Sequence, residues 1–324
     1  MANLASTGSF DAFLQTSQAE RDLIAELLAD KRSAATRRAY KSDLTDFFKQ
    51  VTGSTPTPRL VREFLQLERA TAIAAVTKYK ALLIQAKKSE ATVNRRLAAI
   101  KSLVRYAQNT GQCEWSLEAV RGEKAQAYRD TSGIDVSGYI KVLKQPNRRA
   151  LKGKRDYAIL RLLWDNALRR NEVASCDIEH LDIERQKLSI LAKGKGTQRQ
   201  LVSVSEKTVA AISVWLQARD RKQPHSPSDP LFISLANNSW GHRLTGSAIY
   251  ELVRSYAKSA GITKVFSPHR VRHSSTTAAL DATDGDVRAV QQLTRHAKVE
   301  TLMRYDDNRQ NQQGNISTAL SDLA

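Results

Sequence analysis

The chain has few cysteines and no long apolar segment. Its 324 residues include only Cys113 and Cys176, which excludes a disulfide scaffold and a zinc site made of four cysteines. No apolar run approaches the roughly 20 residues of a membrane-spanning helix, because the best candidate is interrupted by Arg161. The first nine residues lack the basic and apolar regions of a secretory signal. We therefore expect a cytoplasmic protein without a membrane partner.

Acidic residues are scarce relative to basic ones. The chain has 51 Lys and Arg against 33 Asp and Glu, a net charge of +18. This excess predicts a polyanionic partner, since neutralised phosphates release counterions and strengthen binding. The positive charge is divided between residues 1–123, with +6, and residues 124–324, with +12. A membrane-surface protein would concentrate its basic residues in one amphipathic helix. The distribution instead favours a nucleic acid partner, with two positive domains that clamp a duplex.

The N-terminal part has apolar residues at helical spacing and short connections, which are typical of a compact helical bundle. We predict a helical domain over residues 1–120 and a polar linker over residues 121–133. The predicted helices of this domain are Ala19–Asp30, Thr36–Val51, Pro58–Leu67, Ala70–Lys87 and Ser89–Asn109.

The C-terminal part, residues 134–324, has mixed α/β patterning. Two short strands, Leu188–Leu191 and Gln200–Val204, flank a Lys-Gly-Lys-Gly turn and predict a hairpin. The fold class is therefore mainly α with a small β-hairpin or sheet. The tail from Asn315 to Leu323 can form a short helix with Ile316, Leu320 and Leu323 on one side. The other predicted helices are Lys154–Asn166, Glu206–Arg221, Gly246–Ala260, Pro268–Asp281 and Val287–Thr294.

Three short segments of the C-terminal part carry residues suited to phosphate chemistry. In the first, Ser267 and Pro268 predict a helix start, which puts His269 and Arg272 on one face near its positive end. The second contains His296, followed nine residues later by Tyr305. The third pairs Arg169 with Glu172 at i, i+3, where we predict a helix start. Taken singly, they are also compatible with a solvated basic helix start, a packing tyrosine and a surface salt bridge.

In order and spacing these segments resemble the tyrosine recombinase (phage integrase) family, of the simple two-domain type. The resemblance implies that Arg169, His269, Arg272 and His296 surround the scissile phosphate and that Tyr305 is the nucleophile. The family also has a lysine in a hairpin turn between these segments. Lys195 is the best match and Lys193 is a close second. Glu172 would orient the other groups.

The resemblance also implies a mechanism. DNA strands would be cut and rejoined through a 3′-phosphotyrosine intermediate and a Holliday junction, by a homo-tetramer on paired recognition sites. Arg169 and Arg272 suit the phosphate oxygens, because guanidinium groups bind them bidentately and keep their charge. His269 would accept the phenolic proton and Lys195 would protonate the leaving 5′ oxygen. A type IB topoisomerase-like enzyme and a catalytically silent DNA-binding protein remain alternatives.

The N-terminal domain resembles the family's core-binding domain in two segments, residues 36–44 and residues 92–97. Because only residues 1–35 precede the first of these segments, we expect no further arm-type DNA-binding domain. The tail helix would dock on a neighbouring subunit, as in relatives, or pack on its own domain. The candidate DNA-binding residues are Arg37, Arg38, Lys41, Arg95, Arg96, Lys101 and Arg243.

The sequence departs from the family pattern at two turns. Arg295 precedes His296 where the family often has glycine, which adds charge beside that histidine. Asn166-Ala167 stands where Thr-Gly is more usual. Both departures affect loop geometry and remove no reacting group.

No cofactor, metal or small-molecule substrate is expected. A two-metal nuclease needs clustered carboxylates. The acidic residues that follow the His269 and His296 segments lie outside them and are expected to cap helices or occupy solvated turns: Asp281, Asp284, Asp286, Asp306 and Asp307. A nucleotide-binding Gly-x-x-x-x-Gly-Lys-Ser/Thr loop is absent. His180, His225 and His242 are scattered without the spacing of zinc ligands.

Overall fold

The computed structural model describes residues 21–124, 133–192, 196–222, 224–303, 305 and 312–323. Its contacts divide the chain into two compact units, Met1–Tyr128 and Arg129–Ala324. The first is helical, and the second contains helices and a small antiparallel sheet.

The N-terminal unit is built from helices α1 to α5. Most of them begin where the sequence supplies a capping oxygen: the side chains of Ser33, Thr57 and Ser89 each accept a backbone N–H of the first turn. Gly53, with φ of 76°, ends α2 in the left-handed conformation that glycine adopts readily. The helices are Leu23–Ala29 (α1), Ala34–Thr52 (α2), Pro58–Leu65 (α3), Arg69–Gln85 (α4) and Glu90–Asn109 (α5).

Aromatic rings form the centre of this unit. Phe47 of α2 makes edge-to-face contacts with Phe64 and Tyr79, with ring centroids 5.2 Å apart in each pair. Trp115, beyond α5, packs on Phe64 in the same way at 5.6 Å. The predicted helical bundle is thus confirmed, with boundaries that differ by a few residues.

The start of the predicted linker is bound to the N-terminal unit. Asn94 of α5 donates to the Glu123 carbonyl at 2.9 Å and accepts the Glu123 N–H at 2.7 Å. Lys80 of α4 lies 2.6 Å from the Glu123 carboxylate. Residues 121–124 are therefore held by these polar contacts, which the polar composition of the stretch did not reveal. Residues 125–132 lie outside the described part, and the linker boundaries stay a prediction.

The C-terminal unit contains the mixed α/β core. Trp215 and Phe232 are almost completely buried at its centre. Its helices are Val136–Leu143 (α6), Leu151–Asp165 (α7), Arg170–Ala174 (α8), Glu206–Asp220 (α9), Gly246–Ser259 (α10), Pro268–Ala282 (α11), Val287–Thr294 (α12) and Gln312–Ser321 (α13). Its strands are Leu181–Asp182 (β1), Lys187–Leu191 (β2) and Arg199–Ser203 (β3).

The three strands form an antiparallel sheet in sequence order. Leu188 and Ile190 of β2 are buried and alternate with more exposed neighbours, as expected for a half-buried strand. The β2–β3 register pairs Leu188 with Val202 and Leu191 with Arg199. The predicted hairpin is confirmed, and its turn lies between residues 191 and 199.

Helix α6 and strand β1 of this unit were missed by the sequence prediction, whereas α8 begins where a helix start was expected. Helix α6 has eight residues, about two turns, in which a 3.6-residue period is weak. Strand β1 has two residues and exists through its pairing with β2. Asp135, which accepts the Gly138 N–H at 2.8 Å, is the local signal for α6.

Helix α11 begins as predicted, with Ser267 as N-cap and Pro268 in the first turn. Beyond α12, residues 300–303 and 305 are helical. There Leu302 and Tyr305 join Leu280 of α11 and Val290 of α12 in a small apolar cluster. This cluster anchors the segment that carries Tyr305.

Across the residues that the structure describes, no helix combines the length and apolar character needed to cross a membrane.

Candidate active site

Arg169 and Glu172 lie at the start of α8, after the turn Asn166-Ala167. Arg169 is the N-cap residue; its backbone N–H donates to Glu172 Oε2 at 2.9 Å and its Nη1 to Oε1 at 2.8 Å. Glu172 is 2% exposed, whereas the Arg169 side chain is 30% exposed. The buried carboxylate therefore fixes one side of the Arg169 guanidinium and leaves another side accessible to a ligand.

Arg272 of α11 is buried between two turns. Its Nη1 donates to the Ala167 carbonyl and its Nη2 to the Thr294 carbonyl. Burial, followed by repulsion from the Arg169 and Arg295 guanidiniums, lowers the pKa of Arg272 to about 9. Arg272 thus remains a cation at neutral pH, although three guanidinium groups lie near one another.

His296 follows α12 and contacts Arg272. Its Nε2 lies 3.3 Å from Arg272 Nη2, and its Nδ1 lies 2.9 Å from Thr294 Oγ1. Burial, followed by repulsion from Arg272 and Arg169, lowers the pKa of His296 to about 3. The imidazole is therefore neutral at physiological pH.

Tyr305 is 4% exposed and lies between two histidines. Its ring centroid is 5.1 Å from that of His273 and 6.2 Å from that of His296. The phenol is also close enough to Arg272 that its charge would raise the pKa of that guanidinium. The sequence-predicted tyrosine thus lies in the same cluster as Arg272 and His296.

His269 is exposed at the start of α11 and reaches this cluster through His273. The Nε2 atoms of the two histidines are 2.9 Å apart, and their rings are edge-to-face. At this distance one of the two nitrogens donates its N–H and the other accepts it, so the two rings are joined by a hydrogen bond. His273 was not among the predicted site residues. Its position four residues after His269, on the same helix face, was the available signal.

The predicted lysine, Lys195, and its alternative, Lys193, lie outside the described residues. The strands β2 and β3 that flank them are described. Both lysines therefore stay predictions.

The predicted DNA-binding residues occupy different environments. Arg37, Arg38 and Lys41 are exposed on α2, and Lys101 is half-buried on α5. Arg243, by contrast, is paired with the Asp177 carboxylate and donates to the Cys176 carbonyl at 3.1 Å.

Arg95 and Arg96 are bound to acidic residues of α2. Arg95 pairs with Asp43, which is 2% exposed, and Arg96 pairs with Asp46. Arg96 also donates to Tyr79 Oη at 3.1 Å. Burial raises the pKa of Asp43 in spite of the arginines. The Arg96 side chain is only 17% exposed and thus serves the interior of the N-terminal unit, whereas that of Arg95 is 45% exposed.

One cluster among the described residues has the composition of a metal site: Asp177, Glu179 and His180. The scattered histidines of the sequence did not indicate this cluster, which the folding of a short turn brings together. Asp177 is, however, already paired with Arg243 and lies 4.0 Å from Arg199. His180 Nδ1 accepts the Asp177 N–H at 2.8 Å. The Asp177 carboxylate and His180 Nδ1, which would be needed to bind a metal ion, are thus already engaged in contacts within the protein.

Comparison with known proteins gives a consistent result. The model of the phage integrase family matches residues 138–312, and that of the phage integrase N-terminal SAM-like domain matches residues 22–111. A tyrosine recombinase of Synechocystis sp. is 49% identical over 94% of this chain and 96% of its own length. One of Synechococcus elongatus is 46% identical over 93% of each chain.

The fold is also shared with a solved recombinase structure. XerH site-specific recombinase bound to its palindromic difH substrate superposes with a TM-score of 0.64, at 17% identity, over 89% of this chain and 80% of that one. A family model that covers most of the C-terminal unit, and a relative almost half identical from end to end, lead to one conclusion. The chain belongs to the phage integrase family of tyrosine recombinases, DNA strand transferases that carry out site-specific recombination.

Proposed function

We propose that Tyr305 is the nucleophile of the strand-transfer reaction and that Arg169, Arg272 and His296 bind the scissile phosphate. The observation that carries this proposal is the position of the Tyr305 ring, buried beside His296, which contacts Arg272. A phosphorus atom near Oη would have guanidinium donors within reach. Preorganised donors of this kind supply most of the acceleration in phosphoryl transfer, because the transition state is negatively charged.

The chemical step is an exchange of one phosphodiester bond for another. Tyr305 Oη bonds to phosphorus, the bond from phosphorus to the 5′ oxygen breaks, and a 3′-phosphotyrosine link forms. The reverse reaction, with a 5′ hydroxyl from another strand, reseals the DNA and releases Tyr305. The energy of the phosphodiester bond is conserved in the covalent link. The bonds made and broken therefore balance without ATP or a metal ion.

Two protons move in this exchange. We assign the phenolic proton of Tyr305 to His269, whose exposed ring is hydrogen-bonded to that of His273, the ring neighbouring Tyr305. We assign protonation of the 5′ oxygen to Lys195, with Lys193 as the alternative. Their turn connects β2 and β3, and a hairpin tip suits a side chain that must reach into DNA.

Glu172 is proposed as an orienting residue. It is buried and makes two hydrogen bonds with Arg169, one through the backbone and one through the guanidinium. An anion in direct contact with phosphate would oppose the reaction. Its hydrogen bonds hold the buried side of the Arg169 guanidinium. The remaining N–H donors of that group are then left to face the ligand.

The N-terminal unit is proposed to bind double-stranded DNA through the exposed face of α2. Arg37, Arg38 and Lys41 lie on that helix and are exposed. Lys101 is also assigned to this contact. Arg95, Arg96 and Arg243 are paired with carboxylates, so their contacts to DNA would have to compete with those pairs. The nucleoid is the proposed location, because the proposed substrate is double-stranded DNA.

A homo-tetramer on paired sites is the proposed assembly, with strands exchanged through a Holliday junction. Helix α13 supports it. Ile316 and Leu320 are 60% and 61% exposed and Leu323 is 84% exposed. A short helix with such an apolar face is not stable in isolation. A neighbouring subunit is the proposed cover, in preference to its own domain, which leaves those side chains in water.

Covalent capture of DNA tests the proposed nucleophile. Fragmented genomic DNA of the source organism, incubated with the protein and recovered under denaturing conditions, gives the cut site. A duplex of that site, nicked beside the cut, traps the adduct. Tyr305→Phe should form no adduct and should bind the duplex like the wild type, and the control Tyr157→Phe should form it normally. An adduct that persists in Tyr305→Phe would refute the assignment. Adducts at unrelated sequences would indicate topoisomerase-like activity instead.

A further inference from the structure

Arg295 has a backbone conformation that rarely suits an arginine. It ends α12 with φ of 57° and ψ of 40°, in the left-handed region. Its N–H caps the helix by donating to the Gln291 carbonyl at 2.7 Å. Glycine adopts this conformation without strain, whereas a residue with a Cβ does not. The side chain must therefore contribute something that glycine lacks.

The Arg295 guanidinium is directed into the protein and not into solvent. The side chain is 6% exposed. Nη1 donates to the Leu293 carbonyl, and Nη2 lies 3.3 Å from the Asn166 carbonyl and 3.4 Å from that of Ala167. Among the described residues Nε is buried without a hydrogen-bond partner. The burial of this cation is thus only partly compensated, which is unusual for a group that serves stability alone.

The same guanidinium reaches the carboxylate that orients Arg169. Arg295 Nη2 lies 3.4 Å from Glu172 Oε2, the oxygen that also accepts the Arg169 N–H. The carbonyl of Ala167, which Arg295 contacts, also accepts from Arg272. Ala167 itself has φ of 45°, so two strained turns meet at one guanidinium.

Arg295 therefore connects two segments that are about 125 residues apart in sequence. One is the turn before Arg169, and the other is the turn before His296. Arg295 is adjacent to His296 in the chain, so any rotation of its backbone would move that imidazole. The contacts to Glu172 and Ala167 restrain this rotation.

We propose that Arg295 is a positioning residue that locks the turn carrying His296 to the turn carrying Arg169, in the geometry needed for strand transfer. The inference rests on the proposed function of the site, because Arg295 would act by positioning the residues of that site. It assigns Arg295 no contact with DNA. Arg295 acts through Glu172 and the Asn166-Ala167 turn. The left-handed backbone and the buried guanidinium are the structural requirements of this lock.

Three substitutions separate the side chain from the backbone. Arg295→Gly relieves the strain and removes the guanidinium. Arg295→Lys keeps the strain and the charge without the planar fork, and Arg295→Met keeps the strain and the length without the charge. For each variant we would measure the melting temperature, the dissociation constant for the selected duplex and the single-turnover rate of adduct formation on its nicked form.

We expect Arg295→Gly to melt at or above the wild-type temperature and to bind the duplex within about threefold of the wild type. Its cleavage rate should fall about 10- to 100-fold, the range produced by small misplacements of reacting groups. Arg295→Met should lose as much or more, and Arg295→Lys should recover part of the rate. In a Glu172→Gln background, Arg295→Gly should cause a much smaller further loss, because the two residues act as a unit.

Cleavage at the wild-type rate by Arg295→Gly would overturn the inference. If Arg295→Met cleaved slowly while Arg295→Gly cleaved normally, backbone strain alone would explain the slow cleavage, and the inference would be wrong. Full additivity with Glu172→Gln would also contradict it. These outcomes are distinct from failure of the proposed function, which would appear as wild-type protein without an adduct or as an adduct that survives Tyr305→Phe.

Discussion

Arg272 and His296 are in direct contact, and the contact determines which nitrogen of the histidine carries its proton. Arginine has donors only, so His296 Nε2, 3.3 Å from Arg272 Nη2, must accept. The single proton of the neutral ring is then on Nδ1, which donates to Thr294 Oγ1 at 2.9 Å. Without DNA, His296 therefore offers no N–H from Nε2, and its donation to a phosphate requires a second proton or a change of tautomer.

The stability of the protein should depend on pH through His296. Its pKa is about 3 in the folded protein, against 6.5 for the free side chain. The unfolded chain therefore binds more protons between these values. Stability should be fully retained above pH 6.5 and should fall as the pH decreases from 6.5 towards 3. Thermal melting of the wild type and His296→Gln measures this. The melting temperature of the wild type should fall more steeply with decreasing pH. The corresponding difference in the free energy of unfolding should amount to less than one proton bound on unfolding, because the ring is partly exposed.

The exposed His242 is the matched control for that measurement. His242→Gln should follow the wild-type curve, because its side chain is exposed and the replacement leaves the buried residues of the protein unchanged. Parallel curves for the wild type and His296→Gln would contradict the depressed pKa.

An oxyanion in the site should raise the pKa of His296. The cations that lower it, Arg272 and Arg169, would be partly neutralised by the bound charge. Sulfate is a suitable probe, since it does not titrate near neutral pH. The ring proton resonances of His296, assigned by their loss in His296→Gln, should titrate at higher pH in sulfate than in chloride of equal ionic strength. Sulfate that perturbs the arginine resonances and leaves the His296 titration unchanged would contradict a shared anion site.

Much of the site could be predicted because its residues lie in short segments with strong local signals. Ser267 and Pro268 define the start of α11, and the bounds of α12, Val287–Thr294, agree with the predicted helix. The Arg169–Glu172 contact follows from i, i+3 spacing on a helix. These features depend on interactions within a few residues, which sequence patterns describe well.

The role of Arg295 could not be predicted in this way. Sequence indicated only an additional charge beside His296. The side chain instead reaches carbonyls 128 and 129 residues earlier in the chain. Arg96 is a similar case, since its pairing with Asp46 joins α5 to α2. Such contacts depend on the tertiary arrangement of distant helices, about which local propensity and periodicity carry no information.

The hairpin lysine can be identified by its leaving-group dependence. Lys195→Ala should slow cleavage about 10²- to 10⁴-fold, the usual contribution of a general acid. A substrate with a 5′-bridging phosphorothiolate should restore the rate, because a thiolate leaves without a proton. Lys193→Ala, the control in the same turn, should respond weakly in both substrates. Phosphorothiolate rescue of Lys193→Ala, with no rescue of Lys195→Ala, would assign the general acid to Lys193.

Arg96 should contribute to the stability of the protein, whereas Arg38 should contribute to DNA binding. Arg96→Gln removes a partner of Asp46, which is 31% exposed, and a neighbour of the buried Asp43. It should destabilise the protein by about 1–2 kcal/mol, less than the loss of a fully buried ion pair. Arg38→Gln on the exposed face of α2 should leave the melting temperature unchanged and weaken duplex binding. It should also lower the salt dependence of the dissociation constant by about one counterion. Wild-type stability with lost DNA affinity in Arg96→Gln would instead make Arg96 a DNA-binding residue.

The exposed face of α13 should control assembly and not folding. Leu320 is 61% exposed, so Leu320→Ser removes little buried surface from the monomer and should change its melting temperature little. If the face is covered by a neighbouring subunit, the variant should bind a single duplex site normally and form tetramers on paired sites at least about tenfold less readily. Analytical ultracentrifugation with a two-site DNA measures this. Ile183→Ser, at a residue 47% exposed in the β1–β2 turn, is the control and should assemble like the wild type. A lower melting temperature with normal assembly in Leu320→Ser would mean that the tail packs on its own domain.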